Sequence, residues 1–162
     1  MRKIFQSSSS RETEKIGYDF AMQIVNKKPG DCALVIGLRG ELGAGKTTFV
    51  QGFLKGLGIK KRSPSPTFII FRRHVLPQKK VLTNSSATNF SDIYHMDAYR
   101  LKDEAALTAL DFKKILADPT NILLVEWGEK IKKALPRKTL WLKFNHGKKE
   151  GERKIEVLSL SA

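Results

Sequence analysis

A single cysteine, Cys32, stands in 162 residues. No internal disulfide can therefore staple the chain, and the position of Cys32 ahead of the apolar run ALVIGL reads as a buried structural thiol. With only three histidines beside it, the sequence holds no Cys/His cluster at metal-ligand spacing. No apolar run reaches the roughly 18 residues of a membrane span. The start, MRKIFQSSSSRETEK, is basic but lacks the apolar stretch and cleavage site of an export signal. These shortages point to a soluble, cytoplasmic chain held together by burial alone.

Acidic residues are scarce as well: sixteen Asp and Glu face thirty Lys and Arg, a formal net charge of +14. Such an excess favours polyanions. The lysines come as scattered pairs, KK at 27, 60, 79, 113, 132 and 148, with no basic arm or helix-long stripe. Charge alone therefore establishes no nucleic-acid site. Apolar residues are plentiful, 41% of the chain, enough for one domain spanning 1–162 with a real core.

Periodicity gives the outline. RKIF reads as a short strand, and Ile16, Phe20 and Ile24 at helical spacing predict a helix over 11–27, with Ser10 as N-cap and Pro29-Gly30 as stop. DCALVIGLRG is a strand buried on both faces. Phe49, Phe53, Leu54 and Leu57 then predict a helix ending at Gly58. SPSPTFIIFRRHV is a rigid turn feeding a strand, and the polar stretch LPQKKVLTNSSATNFS is a partly mobile hairpin connection. DIYHMDAYRL begins as a strand and leaves as a loop, and DEAALTALDFKKILA carries one or two short helices. NILLVEWGEKI is a buried strand running into a helix, while TLWLKFNH and RKIEVLSL alternate like an antiparallel hairpin.

Between the first buried strand and its helix lies GELGAGKTT, which fits G-x-x-x-x-G-K-[ST] at Gly40, Gly45, Lys46 and Thr47. In such a loop, glycines let the backbone N–H groups wrap phosphate oxygens, a role suited to Gly43, Ala44 and Gly45. The following helix points its positive end at the same anion. Lys46 reaches the β- and γ-phosphates, Thr47 offers its hydroxyl to Mg²⁺, and Thr48 is a second hydroxyl on the α-phosphate side. Four apolar residues ending in Glu126 resemble the strand that carries a metal or water-site carboxylate in phosphoryl-transfer sites. His95 and Asp97, two apart in YHMDAYR, share one side of an extended backbone. Asp97 suits metal or water positioning, and His95 alone reads as an ordinary hydrogen-bonded residue. Trp127 is either packing or a ring that gates the pocket.

The segments GELGAGKTTFVQGFLKGLGI, SPSPTF, IYHMDAYRL and LLVEW, in this order and spacing, resemble the TsaE family, small ATPases of bacterial tRNA threonylcarbamoyladenosine synthesis. The resemblance implies an α/β, P-loop NTPase-like fold of three layers around a mixed parallel and antiparallel sheet. It implies ATP and Mg²⁺ as cofactors, the nucleotide on Gly43, Ala44, Gly45, Lys46, Thr47 and Thr48, and the metal on Thr47 and Glu126. Asp97, Glu126 and Lys46 would be the catalytic residues. By the same resemblance Trp127 lies beside the metal carboxylate, Ser10 and Thr13 near the adenine, and Gly151, Glu152 and Arg153 on a late hairpin approaching the nucleotide. The implied activity is ATP hydrolysis, weak alone, on a TsaD–TsaB complex, with tRNA contacted through that complex.

Two other classes are consistent with a phosphate loop. A small-molecule kinase would need an acceptor site and an arginine-bearing lid, for which Arg72, Arg73 and Arg100 are the candidates. An ATP-dependent nucleic-acid-binding module would draw on the charge.

Overall fold

The computed structural model describes residues 3–59, 71–76, 89–101, 107 and 111–158. Its elements are β1 (Lys3–Ser7), α1 (Ser10–Val25), β2 (Leu34–Gly40), α2 (Lys46–Gly56), β3 (Phe71–Val75), β4 (Asp92–Asp97), α3 (Phe112–Ala117), β5 (Asn121–Glu126), a 3₁₀ segment (Gly128–Ala134), β6 (Leu140–His146) and β7 (Arg153–Leu158). The strands form one sheet in the order β1-β7-β6-β2-β5-β4-β3. β6, β2, β5 and β4 run parallel. β3 pairs antiparallel with β4 at one edge, and β7 with β6 and β1 at the other.

Every residue of β5 is buried, as its uninterrupted ILLV run requires of a strand flanked by parallel neighbours and covered on both faces. Ile122 and Leu124 point into a layer shared with Phe20, Ile24, Phe49 and Phe53 of α1 and α2. Leu123 and Val125 point into the opposite layer, with Phe112, Ile131, Leu135 and Trp141. Phe49 centres the first layer, its ring 5.7 Å from Phe20 and 5.5 Å from Phe144. Truncating it to alanine would cost about 3–5 kcal/mol.

α1 and α2 lie nearly backbone to backbone. A Cβ on Gly17 would overlap the Phe49 carbonyl, and one on Gly52 the Glu14 carbonyl. This seam brings Thr13, near the start of α1, against Gly45 at the start of α2.

Several local expectations change. Ser9, not Ser10, caps α1: its backbone is extended and its side chain accepts from the Glu12 N–H, leaving Ser10 as the first helical residue. The helix stops at Val25, ahead of Pro29. There Asn26 Nδ2 donates to the Met22 carbonyl and the Lys27 N–H turns back to Ile24, so two of the last carbonyls are satisfied without further turns. After β5 the chain does run into a helix, of 3₁₀ type and broken at Ile131. Cys32 is half-buried, not buried, because it precedes β2 and lines a shallow cavity. The β6–β7 hairpin and the strand-to-loop course of DIYHMDAYRL are as the alternation predicts. The SPSP turn, the 77–88 connection and most of 102–110 lie outside the described residues.

Candidate nucleotide site

The carboxyl ends of β2, β4 and β5 meet the start of α2, the crevice where open parallel sheets bind ligands. β2 delivers the chain into residues 41–45. Gly43 (φ +73°) and Gly45 (φ +96°) hold left-handed conformations that other residues adopt only under strain. The loop then turns directly into α2, whose first-turn N–H groups lack helical acceptors. The result is a cavity of about 330 Å³.

Lys46 occupies its floor, 5% exposed. Nζ donates to the Gly40 carbonyl at 2.6 Å and the Glu41 carbonyl at 2.8 Å, and lies 3.7 Å from the centre of the Trp127 ring. Burial pushes its pKa down, against the pull of Glu126, Glu129 and Asp97. Next to it, Thr47 Oγ1 donates to Glu126 Oε2 at 2.6 Å. This contact joins the glycine-rich motif to a strand end 79 residues further along the chain. The other carboxylate oxygen, Oε1, is bonded to His95 Nε2 at 2.8 Å, both side chains being almost fully buried.

Asp97 lies beside Glu126 in the β4–β5 register. Burial pushes its carboxyl up, with Glu126 adding to the effect, while the Tyr99 N–H, His95 and Lys46 pull the other way. Tyr99 N donates to Asp97 Oδ1 at 2.9 Å, turning the chain so that the Tyr99 ring sits 4.9 Å from that of Trp127. Trp127 itself has φ +57°, a costly conformation for a bulky residue. Its ring covers Lys46, lines the cavity and touches the second core layer, so it combines packing with a place in the wall.

The structure thus gathers Ser10, Thr13, Gly43, Ala44, Gly45, Lys46, Thr47, Thr48, Asp97, Glu126 and Trp127 around one cavity. The Thr13 hydroxyl is already engaged, with Ser7 Oγ at 2.7 Å and the Ser9 carbonyl at 3.2 Å. Glu152 is not in the wall. Its carboxylate accepts from the Lys148 and Lys149 N–H groups and closes the β6–β7 turn. Gly151 and Arg153 of the same hairpin do line the cavity, and Arg153 Nε donates to the Gly43 carbonyl at 3.1 Å. Sequence reasoning missed Leu42 and Tyr99 in the wall, and it gave Arg100 only a lid role. It also set aside His95, although the two-residue step to Asp97 was the signal that placed both on one side.

A threonine hydroxyl and a carboxylate oxygen side by side are hard donors of the kind Mg²⁺ takes, with phosphate and water oxygens completing its shell. The unbonded N–H groups at the start of α2, and Lys46, suit the phosphates. The donor set therefore fits a magnesium nucleotide.

Fold and site together define a P-loop-like α/β protein with a glycine-rich cavity at the carboxyl edge of its sheet. A family model described as threonylcarbamoyl adenosine biosynthesis protein TsaE matches residues 7–155, and the chain belongs to that family. The tRNA threonylcarbamoyladenosine biosynthesis protein TsaE of Bacillus subtilis is 40% identical over 116 residues, 70% of this chain and 60% of that protein. Its counterpart in Haemophilus influenzae is 30% identical over 145 residues, 90% of this chain and 82% of that one. Among solved structures, the crystal structure of Bacillus subtilis YdiB superposes with a TM-score of 0.70 at 28% identity, covering 99% of this chain and 87% of that one.

Proposed function

We propose that this protein binds ATP with Mg²⁺ in the cavity and hydrolyses it as a subunit of tRNA threonylcarbamoyladenosine synthesis, acting on a TsaD–TsaB complex. The observation that carries the reading is the 2.6 Å bond between Thr47 and Glu126 beneath the glycine-rich loop. It brings a motif hydroxyl and a strand-end carboxylate to one point, as a magnesium nucleotide requires. The relatives' role in tRNA modification supports the pathway.

In this reading the first turn of α2 and Lys46 hold the phosphates, and Lys46 exchanges its loop carbonyls for phosphate oxygens. Thr47 and Glu126 hold the metal, which when bound neutralises charge building on the phosphate oxygens. Asp97, its carboxyl at the cavity wall beside Glu126, orients the attacking water. Trp127 and Tyr99 shield the site from bulk solvent. The cytoplasm is the compartment where such a subunit would meet its tRNA-modifying partners.

Phosphate release measured with ATP and Mg²⁺ should be slow for the isolated protein and stimulated by a TsaD–TsaB pair. Glu126→Ala should abolish both rates while keeping nucleotide binding in EDTA. Stimulated hydrolysis in the variant would overturn the metal assignment, and γ-phosphate transfer to a small acceptor would replace the reading by a kinase.

A further inference from the structure

His95 is a buried polar side chain where the apolar body of the sheet gives way to its polar carboxyl end, with Arg72 as its register partner on β3. It shares β4 with the fully buried Ile93 and is paired in register with Leu124, also fully buried. An imidazole placed there loses its water and must recover hydrogen bonds from the protein. Only one nitrogen does so. Nε2 is 2.8 Å from Glu126 Oε1, whereas Nδ1 is buried with no hydrogen-bond partner among the described residues. Among these residues its hydrogen bond therefore goes to Glu126.

The contact also fixes chemistry. With an ionised carboxylate, which can only accept, the donor of this bond is Nε2. The two Glu126 oxygens are divided between two donors on different elements, Oε1 to β4 and Oε2 to Thr47 of α2. A tether at Oε1 restrains the rotation that would carry Oε2 away from the Thr47 hydroxyl.

We propose that His95 is the positioning residue for Glu126: it holds Oε1 so that Oε2 stays beside Thr47, ready for the magnesium ion of a bound nucleotide. This inference rests on the metal-nucleotide reading above. His95 acts through the carboxylate and itself touches neither nucleotide nor metal. Outer partners of metal-binding carboxylates are worth about 10–100-fold in metal affinity.

The test is calorimetric titration of the full chain with ADP across a series of Mg²⁺ concentrations, which needs no turnover. His95→Met keeps an apolar fill of similar size without a donor, and His95→Gln places an amide N–H close to the position of Nε2. The Met variant should bind ADP in EDTA within twofold of the wild type but need about 10–100-fold more Mg²⁺ for the metal-linked gain. The Gln variant should recover most of that loss. A Met variant with a lower melting temperature but unchanged Mg²⁺ dependence would overturn the proposal by making His95 purely structural. So would a Gln variant as impaired as Met. If the wild-type protein shows no Mg²⁺-linked nucleotide binding, the reading of the cavity fails, and that result is distinct from a normal wild type with a normal Met variant.

Discussion

The paired strands β4 and β5 begin with Asp92 opposite Asn121 and end with Asp97 opposite Glu126. Polar side chains are buried at both ends, yet their bonds go to different places. At the amino end, Arg73 grips Asp92 through Nε–Oδ1 at 2.8 Å and Nη2–Oδ2 at 3.1 Å, and Asn121 Nδ2 donates to the Ile115 carbonyl at 3.1 Å. These bonds tie β3 and α3 to the sheet. At the carboxyl end, one bond of Glu126 runs to the buried His95 and the other to Thr47, on the wall of a cavity that also holds Lys46. Burial of a charge thus says little by itself; whether its partners close on the fold or converge on open space separates architecture from a site.

The sharpest way to break that contrast is Lys46→Ala. It removes a cation whose hydrogen bonds to charged partners are worth about 1.5–3 kcal/mol each, so losing two should weaken nucleotide binding by more than about 100-fold. Calorimetry with ATP measures it, and near-normal affinity would show that the carboxyl end is as architectural as the other. Asp92→Ala probes the amino end. It should lower stability by about 1–2 kcal/mol, discounted because Arg73 is 58% exposed, and leave nucleotide affinity within twofold. A large binding defect there would erase the distinction.

The smallest effect separates the cavity from the α1 cap close beside it. Glu12 accepts from the Ser8 N–H at 2.7 Å and the Ser8 hydroxyl at 2.9 Å, bonds that hold its carboxyl below its usual value. A lowered folded value contributes stability above the unfolded pKa and loses it as pH falls through the folded one. Thermal melts of wild type and Glu12→Gln should therefore differ at neutral pH and converge in acid below the normal carboxylate range of about 4.3. A gap that persists there would assign the effect to packing.

Much of this arrangement is legible in the chain. GELGAGKTT is a local signal, since loop, lysine and helix start are consecutive, and ILLVE announces a doubly covered strand whose end must emerge at the sheet's edge. What is not legible depends on neighbours distant in sequence. Lys46 reads as a loop residue, and its burial under Trp127 follows from a left-handed turn at a tryptophan, which no propensity suggests. Glu152 looks like an approach to the cavity, but its short carboxylate finds two turn N–H groups closer at hand. His95 has the alternation that puts it beside Asp97, but its importance depends on the diagonal step to Glu126 on the next strand.

The glycine seam between α1 and α2 carries a consequence for motion. With Gly17 against the Phe49 carbonyl and Gly52 against the Glu14 carbonyl, neither helix can shift without opening the other. Their amides should thus exchange with solvent as one cooperative block. Because α2 starts at the phosphate loop and α1 sets Thr13 against Gly45, a ligand that quiets the loop should slow exchange along both helices together. The missing side chains make the pair a single rigid lever with its short end at the cavity.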